Sequence, residues 1–508
     1  HLDGVSISTT LVALNKNKII SYIIKNKNFD TITISKKFNL NLGYFNIALR
    51  LLASQGLLKQ KIAIDGENIS YSTTSKGLYV FEHIDKYLFC LEWFDFCLNI
   101  NINKSKNNTI TIAKDLLLKS QDNWGLHKNH DINSNDYYIS KHLNGILISP
   151  IMSLLGFNGI LQNNKSFKNF INKSNFNIIL GEILMIENWL TRDYEFTDEG
   201  NYAFMISSAY GVTSSYLNTF IQVDNLIFHN PKALKINSNL KTEIHVNRPM
   251  NVWGSGGAHK TYFKYIDKII RKVFNLPLET QPIGIADMGC GNGEFLIHIH
   301  HLIKDTLRGK NITNHPLHLI GADFNDDALI SSNQNLNSKN IEHILIKADI
   351  SNPRKYSEDL KKSFNVDLKE CLNIRSFLDH NRIFSIPKNQ DKFESTSTCS
   401  FSSKGEWIPN YLLGNNLVEH FINWKPYISK FGLILLELHS LDPMIVKNNL
   451  GKSLSTAYDA THGYSDQYIL ELNEFKNCIN KAGLKIDERN SYKFPNNNLG
   501  TISISYLK

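Results

Sequence analysis

Three aspartates in the second half of the chain each close an apolar run. Asp287 follows Ile283-Gly-Ile-Ala286, Asp323 follows Leu317-His-Leu-Ile-Gly-Ala322, and Asp349 follows His343-Ile-Leu-Ile-Lys-Ala348. Such runs read as buried parallel strands, and open α/β sheets bind ligands beyond the carboxyl ends of their strands. The first run breaks into three alternate glycines, Gly289, Gly291 and Gly293, followed by the helical spacing of Phe295, Leu296 and Ile299. Glycine lets the backbone take positive φ and come close to a ligand with no Cβ in between. Strand, glycine turn and helix together open a nucleotide-binding α/β unit, although D-x-G-x-G-x-G is not the G-x-G-x-x-G of dinucleotide sites.

That turn resembles motif I of class I S-adenosylmethionine (SAM) methyltransferases. The resemblance implies that Asp287 orients the methionine part of SAM, beside Gly289, Gly291 and Gly293. Asp323 has two oxygens to accept from the two ribose hydroxyls, and Phe324 would lie along adenine. Asp349 and Ile350 suit the adenine amino group and ring. Upstream, Gly254, Gly256 and Gly257 predict a flexible turn leading into a helix through Phe263, Ile266 and Ile270. Tyr262 on that helix would reach the SAM carboxylate or simply pack. Further strands are expected at Glu370–Ile374 and Gly432–Leu438, with Lys485–Glu488 and Thr501–Tyr506 as a final antiparallel pair.

The elements ahead of this core read differently. Ile34–Phe38 and Phe45–Leu58 have helical spacing, Gly56 stops the second, and Ile69–Thr73 alternates like a strand before Gly77. This resembles the winged helix that precedes many small-molecule methyltransferases. DNA binding is disfavoured, because the second helix is mostly leucine and alanine and carries only Arg50. Residues 81–140 hold many aromatics, among them Tyr87, Trp93 and Phe94, which read as core, with polar loops at Asn101–Asn108 and Asn129–Asn135. Phe176–Leu184, Trp189-Leu190, Tyr194–Thr197 and Gly200 then echo the order helix, Leu, wing, Thr, Gly of residues 45–77. The expected domains are therefore 1–85, a winged helix; 86–245, a helical lid with a second winged-helix-like unit; and 246–508, the methyltransferase core. The expected fold class is α/β: a Rossmann-like seven-stranded sheet preceded by a mainly helical, winged-helix-like region.

Composition excludes several classes. With 42% hydrophobic and 20% charged residues the chain is globular, and no apolar run is long enough for a membrane span. The net charge of +8 comes without a dense basic run, so nucleic acid is not an expected partner. Cys90, Cys97, Cys290, Cys371, Cys399 and Cys478 form no C-x-x-C pair, which suits a reducing cytoplasm. The first residues lack both a signal-peptide pattern and an initiator Met, so a fragment of a longer chain is expected.

Beyond the strand ends lie Arg375-Ser-Phe-Leu-Asp-His-Asn-Arg382, His439-Ser-Leu-Asp-Pro443 and Thr461-His-Gly-Tyr-Ser-Asp-Gln-Tyr468. Together with Gly254-Ser255-Gly256, Asp287–Gly291 and Leu436-Glu-Leu-His439, these stretches resemble the C-methyltransferase domains of polyketide synthase loading modules, as in the saxitoxin and apratoxin pathways. The resemblance spans nearly the whole chain. It implies methylation of the α-carbon of malonyl on an acyl carrier protein, with neighbouring domains that include an acetyltransferase-like decarboxylase. It also implies one iron or manganese ion, which would stabilise an enolate as a Lewis acid. His439 and Gln467 are the first ligands expected, then Asp379, with His380 and His462 competing for that place. Whichever of His462 and His380 is not a ligand would take the α-proton, and Arg375 or Arg382 would pair with the malonyl carboxylate. On the residues alone, a histidine at a strand end such as His439 is more often a hydrogen-bonded core residue than a ligand, while Asp379 also suits a group that orients a histidine and Arg375 a structural ion pair. A small-molecule O-methyltransferase and a non-catalytic scaffold that docks carrier proteins are the competing functions.

Overall fold

The computed structural model describes residues 1–508 except 64–67, 101–106, 129–130, 232–235, 238–241 and 393. Most of the loop expected at 101–108, and two residues of that at 129–135, lie outside the described residues. The chain forms two compact units. The first is His1–Lys260 with Ser400–Ile408 and Asp442–Asp466, and the second is Thr261–Cys399, Pro409–Leu441 and Gln467–Lys508. Two segments of the C-terminal half thus fold with the first unit.

The first unit contains two winged-helix modules, and the sequence echo holds at the level of single atoms. In one, helix Thr31–Phe38 is capped by Asp30, whose carboxylate accepts from Thr33 N at 2.7 Å. In the other, helix Asn164–Ile171 is capped by Asn163, which accepts from Ser166 N at 2.9 Å. These caps satisfy donors that a helix start leaves open. Each module's next helix, Leu42–Ser54 or Asn175–Met185, is followed by a residue with positive φ, Gly56 at 74° or Asn188 at 58°. A hairpin follows. In the first module Leu58–Ile62 and Ile69–Thr73 pair, with Asn28–Asp30 on the outer side of Ile69–Thr73, while the second has the single bridge Leu190–Phe196. Then a threonine caps the last helix: Thr74 Oγ1 accepts from Gly77 N at 2.9 Å, and Thr197 Oγ1 accepts from Gly200 N at 3.0 Å. The same hydroxyls donate 2.8 Å back to Gly56 O and Asn188 O.

Helix Leu42–Ser54 is buried from Gly43 to its end, so it has no free face to lay in a DNA groove. Arg50 is 3% exposed and ion-paired with Asp459. Tyr44 Oη donates to Asp466 Oδ1 at 2.7 Å, and Gln55 Nε2 donates to Thr456 Oγ1 at 2.8 Å. The aromatic segment behaves as core: Tyr87, Trp93 and Phe94 are fully buried.

The flexible turn expected at Gly254–Gly257 is absent, because Arg248–Phe274 is one helix. Close packing accounts for Gly254: a Cβ there would lie 2.6 Å from Val212 N, so only a bare backbone fits. That contact offsets the intrinsic cost of glycine in a helix, about 1 kcal/mol relative to alanine.

The second unit is a seven-stranded sheet. In chain order the strands are Gly284–Met288, His318–Asp323, Ile344–Lys347, Cys371–Ser376, Leu433–Leu438, Tyr492–Phe494 and Ile502–Leu507, and their spatial order is 6-7-5-4-1-2-3. The first five run parallel, and the seventh pairs antiparallel with the fifth and sixth. Lys485–Glu488, expected as a strand, forms a single bridge, Ile486–Leu507, flanked by backbone bonds of Lys485 to Lys508 and of Asp487 N to Tyr506 O. Asp487 caps a 3₁₀ turn at Glu488–Asn490 and draws the chain off the edge, so Tyr492–Phe494 becomes the sixth strand. Among the described residues no helix is long and apolar enough to cross a membrane.

Glycine substitutions should divide by what surrounds them. In Gly77→Ala and Gly200→Ala the new Cβ would lie 2.1 Å from Leu57 O and 1.9 Å from Trp189 O. Each should cost roughly 2 kcal/mol or more in chemical denaturation. At Gly256, inside a helix, a Cβ would meet nothing within 4 Å. Gly256→Ala should be neutral or stabilising by about 0.5–1 kcal/mol.

Candidate functional site

The first strand is buried throughout and ends at the glycine turn. Gly289, Gly291 and Gly293 all have positive φ, at 85°, 54° and 80°. Their surroundings differ. A Cβ on Gly289 would lie 3.0 Å from Leu378 Cδ2 and one on Gly293 would lie 2.9 Å from Ser332 Oγ, whereas one on Gly291 would meet nothing within 4 Å. Packing therefore requires two of the glycines, and the middle one borders open space. Gly289 N and Cys290 N both donate to Ala322 O, at 2.7 and 3.1 Å, which ties the turn to the second strand. Asp323 Oδ2 accepts from Gly291 N at 3.1 Å and Oδ1 from Asn325 N at 2.9 Å.

Asp287 is 2% exposed, and its carboxyl is pushed up to about 7 by burial, with Asp323 adding repulsion. A buried carboxyl poised to ionise near neutrality favours a cationic partner, because a nearby positive charge offsets its lost hydration. Burial pushes the Cys290 thiol up to about 12, so it fills space as a neutral group. Phe324 is 63% exposed, a large aromatic face left bare beside Asp323. Asp349 Oδ1 accepts from Ser351 N at 2.8 Å, and Ile350 O accepts from Trp424 Nε1 at 2.7 Å. Tyr262 is half-buried, its ring 5.0 Å from that of Phe494, and burial raises its hydroxyl.

The acceptor-side residues fall into two buried groups at the ends of the fourth and fifth strands. In one, Asp379 Oδ1 lies 3.2 Å from Arg375 Nη2 and 3.0 Å from His420 Nε2. Burial opposes the charge on Asp379, but Arg375 and His420 outweigh it and hold the carboxyl below its usual range. Arg375 also lies over the Trp424 ring at 4.6 Å, and burial pushes His420 down to about 4. Arg382 completes this group, donating to Asp379 O and Asn416 Oδ1, both at 2.8 Å.

In the other group, His380 Nδ1 donates to Glu437 Oε1 at 2.6 Å and its backbone N donates to Glu437 Oε2 at 3.2 Å. Glu437 is 1% exposed, and its Oε1 also accepts from Leu438 N at 2.7 Å. Tyr468 N donates to His380 O at 2.7 Å, which brings the neighbouring Gln467 close along the chain. The turn carrying His380 begins at Phe377, a non-glycine residue at φ 55°, and its Leu378 seats against Gly289. The base candidate and the glycine turn are thus joined by direct packing. Sequence reasoning missed Glu437 and His420 as working groups. A signal for Glu437 was present, since a carboxylate inside the apolar run Leu433–Leu438 must find donors.

His439 is fully buried and neutral, pushed down to about 4 by burial. Its Nδ1 donates to Leu470 O at 3.2 Å and its Nε2 accepts from the Ser503 hydroxyl at 2.8 Å. This is the core-histidine arrangement. Neither ring nitrogen offers a lone pair to a cation, and Asp379 Oδ1 already serves Arg375 and His420. As arranged, His439 does not fit a metal ligand, which removes the first of the expected set. Among the described residues no three or more His, Cys, Asp and Glu side chains are grouped to hold one. His462 belongs to the first unit, its Nδ1 2.7 Å from Tyr458 O.

A glycine turn with one open side, an acid ending each of the first two strands and a bare aromatic after the second define the cofactor edge of a class I methyltransferase fold. Residues 243–505 match the AprA MT2-like domain, a methyltransferase family, residues 1–60 the AprA N-terminal domain, and residues 144–230 the AprA winged helix domain. The chain belongs to the AprA MT2-like methyltransferase family, and its cofactor is SAM. The family's winged-helix match falls on the second of the two modules. Solved structures similar to the chain include the mitomycin 7-O-methyltransferase, at 8% identity and TM-score 0.42, covering 73% of this chain and 97% of that one. A putative O-methyltransferase from Nostoc punctiforme PCC 73102 is similar at 12% identity and TM-score 0.41, covering 73% and 99%. The citrinin polyketide synthase CMeT domain is similar at 11% and 0.34, covering 80% and 99%. No curated protein sequence matches the chain.

The state of Asp287 should govern cofactor binding. Below about pH 7 its carboxyl is neutral in the empty pocket, so a proton must leave before it can pair with an ammonium. SAM affinity by calorimetry should fall about tenfold per unit as pH drops below about 7 and level off above it. Because this carboxyl is raised, folding stability falls as pH rises from its usual 3.8 to about 7. Asp287→Asn should therefore flatten the pH dependence, weaken SAM binding and raise the melting temperature of the SAM-free protein at pH 8.

Proposed function

We propose that the chain methylates the α-carbon of a malonyl group carried on an acyl carrier protein, in the assembly of a polyketide starter unit. The observation that carries this reading is the His380–Glu437 pair, 2.6 Å apart on a turn packed against the glycine loop. Carbon methylation needs a base, because the α-proton must leave before carbon can attack. Glu437, which accepts from His380 Nδ1, orients the imidazole and stabilises the imidazolium that forms when Nε2 takes the α-proton. SAM, when bound, supplies the electrophilic methyl group. The C–H pair becomes the new C–C bond, the S–CH₃ bond breaks, and the proton passes from His380 to solvent. Family membership and the resemblance in Arg375–His380 and Gly463–Tyr468 support the substrate class. Arg375 and Arg382 flank this turn and are the residues to test for recognition of the malonyl carboxylate.

The test is mass spectrometry of malonyl-carrier protein incubated with enzyme and SAM, with and without added iron or manganese. One or two added methyl masses, fragmenting as carbon-bound, are expected. His380→Ala should lower kcat by about 10²–10⁴-fold, and Glu437→Gln, which keeps the shape but not the charge, by about 10²-fold or more. Turnover that requires metal would place a Lewis acid beside this base. Methylation on oxygen of a free small molecule would instead establish the O-methyltransferase reading, and no transfer to any acceptor the scaffold reading.

A further inference from the structure

We infer that the first unit is a pseudo-dimer within one chain: two copies of a winged-helix module paired about a pseudo-two-fold axis, as two subunits would pair. The pairing lies in the helices that lead the modules, Leu2–Lys16 and Asn135–Phe157. Their sequences His1-Leu-Asp-Gly-Val-Ser-Ile-Ser8 and His142-Leu-Asn-Gly-Ile-Leu-Ile-Ser149 agree at five of eight positions. Two-fold symmetry demands that when residue i of one copy touches j of the other, j of the first touches i of the second. The glycines obey this rule. A Cβ on Gly4 would lie 2.2 Å from His142 O, and a Cβ on Gly145 would lie 2.2 Å from His1 O. Each helix therefore uses its bare glycine to admit the backbone of the other, three residues before the other's glycine.

The side chains obey it too. His1 Nδ1 lies 3.2 Å from Tyr210 Oη, and His142 Nδ1 lies 3.4 Å from Tyr87 Oη. Tyr87 is ten residues past Gly77, and Tyr210 is ten past Gly200, so the tyrosines are equivalent on the frame set by the threonine caps. Histidine of the first module meets tyrosine of the second, and histidine of the second meets tyrosine of the first. Chance similarity of two small helical folds does not produce reciprocal contacts of this kind.

The copies have diverged in a way that favours the mixed pair. The residue before the positive-φ turn is Gln55 in one module and Glu187 in the other. The third residue of each His-x-x-Gly stretch has changed in the opposite sense, to Asp3 and Asn144. Asn144 Nδ2 donates to Glu187 Oε1 at 3.0 Å, so in the second module the amide and the acid of these two positions meet, and in the first the same two residue types stand with their places exchanged. Glu187 Oε1 also lies 3.4 Å from His1 Nε2 of the other module. Were the first module to pair with a second copy of itself, His1 would face glutamine instead. The face through which one such module would bind another chain is thus filled from within, and the protein completes this interface as a monomer.

Sedimentation equilibrium of the 508-residue protein, from micromolar to tens of micromolar, should give one species at 58.1 kDa. Tyr87→Phe and Tyr210→Phe, which each remove one of the two equivalent hydroxyls, should lower the melting temperature by similar amounts and leave the mass unchanged. Gly4→Leu and Gly145→Leu should each open the crossing, expose both pairing faces and give concentration-dependent association. A wild-type dimer that Gly145→Leu converts to monomer would overturn the inference, since the crossing would then join chains. So would unaltered mass and melting temperature in both leucine variants. If those variants do not fold, the wild-type mass and the paired tyrosine shifts decide.

Discussion

One carboxylate in an apolar strand sets much of the second unit's geometry. Strand Leu433–Leu438 is buried at every position, yet it contains Glu437. An unpaired charge there would cost several kcal/mol, so its oxygens must collect donors. They take His380 Nδ1, His380 N and Leu438 N. Two of these donors belong to one residue of the fourth strand's exit turn, so the turn is held by its side chain and its backbone together. Phe377 N donates to Leu436 O at 2.7 Å, which fastens the start of the same turn to the fifth strand despite the positive φ at Phe377. Strain of that kind persists only where surrounding bonds over-determine it. The outcome is a histidine fixed in tautomer and direction, on a turn whose Leu378 rests on the cofactor loop.

The second charged group near this turn has a different character. Asp379 neighbours His380 in sequence, but it points to Arg375 and His420, and the Arg375 guanidinium lies over the Trp424 ring. Trp424 in turn donates to Ile350 O at the end of the third strand. This chain of contacts links the exits of the third and fourth strands through helix Asn410–Ile428, which makes it a brace for the two cofactor-side loops. Adjacent residues thus turn to different partners: His380 is held by Glu437, and Asp379 locks the frame around it. Its Oδ2 and the Arg375 Nε and Arg382 Nη2 atoms are buried with no hydrogen-bond partner among the described residues. Atoms of this kind favour an ordered water or a polar ligand group among them.

Much of this was legible in the sequence wherever the signal is local. Apolar runs ending in Asp287 and Asp323 mark strands because a buried parallel strand has no polar face, whereas the run before Asp349 forms a half-buried edge strand. The glycine turn is legible because positive φ is costly for other residues. The winged-helix echo is legible because a threonine cap and a close-packed glycine recur at one spacing. What stayed hidden depends on partners far along the chain. Nothing near Arg50 signals that Asp459 will bury it. Nothing near His439 signals that Ser503 will occupy its Nε2, and that occupation separates a core histidine from an open ligand. The helix Arg248–Phe274 runs against the propensity of its own glycines, because Gly254 answers to Val212. The final strand pair shifted because the Asp487 cap outweighed a β-like stretch.

The same long-range dependence constrains how the first unit is made. Its helix Leu42–Ser54 is buried on all sides, and part of that cover comes from Ser455–Gly463, where a Cβ on Gly463 would lie 2.9 Å from Ile47 Cγ2. Asp459 on this later helix neutralises Arg50. Until residues beyond 450 are present, the winged-helix core holds a cation with no acid and an apolar face with no cover. Removing one member of a buried ion pair costs about 3–5 kcal/mol. The two modules pair through local helices, but the first gains its last layer only from the C-terminal half. The cap threonines and the His-x-x-Gly crossing therefore specify each module's shape early, whereas Arg50 and Asp459 make its full stability conditional on the methyltransferase half of the chain.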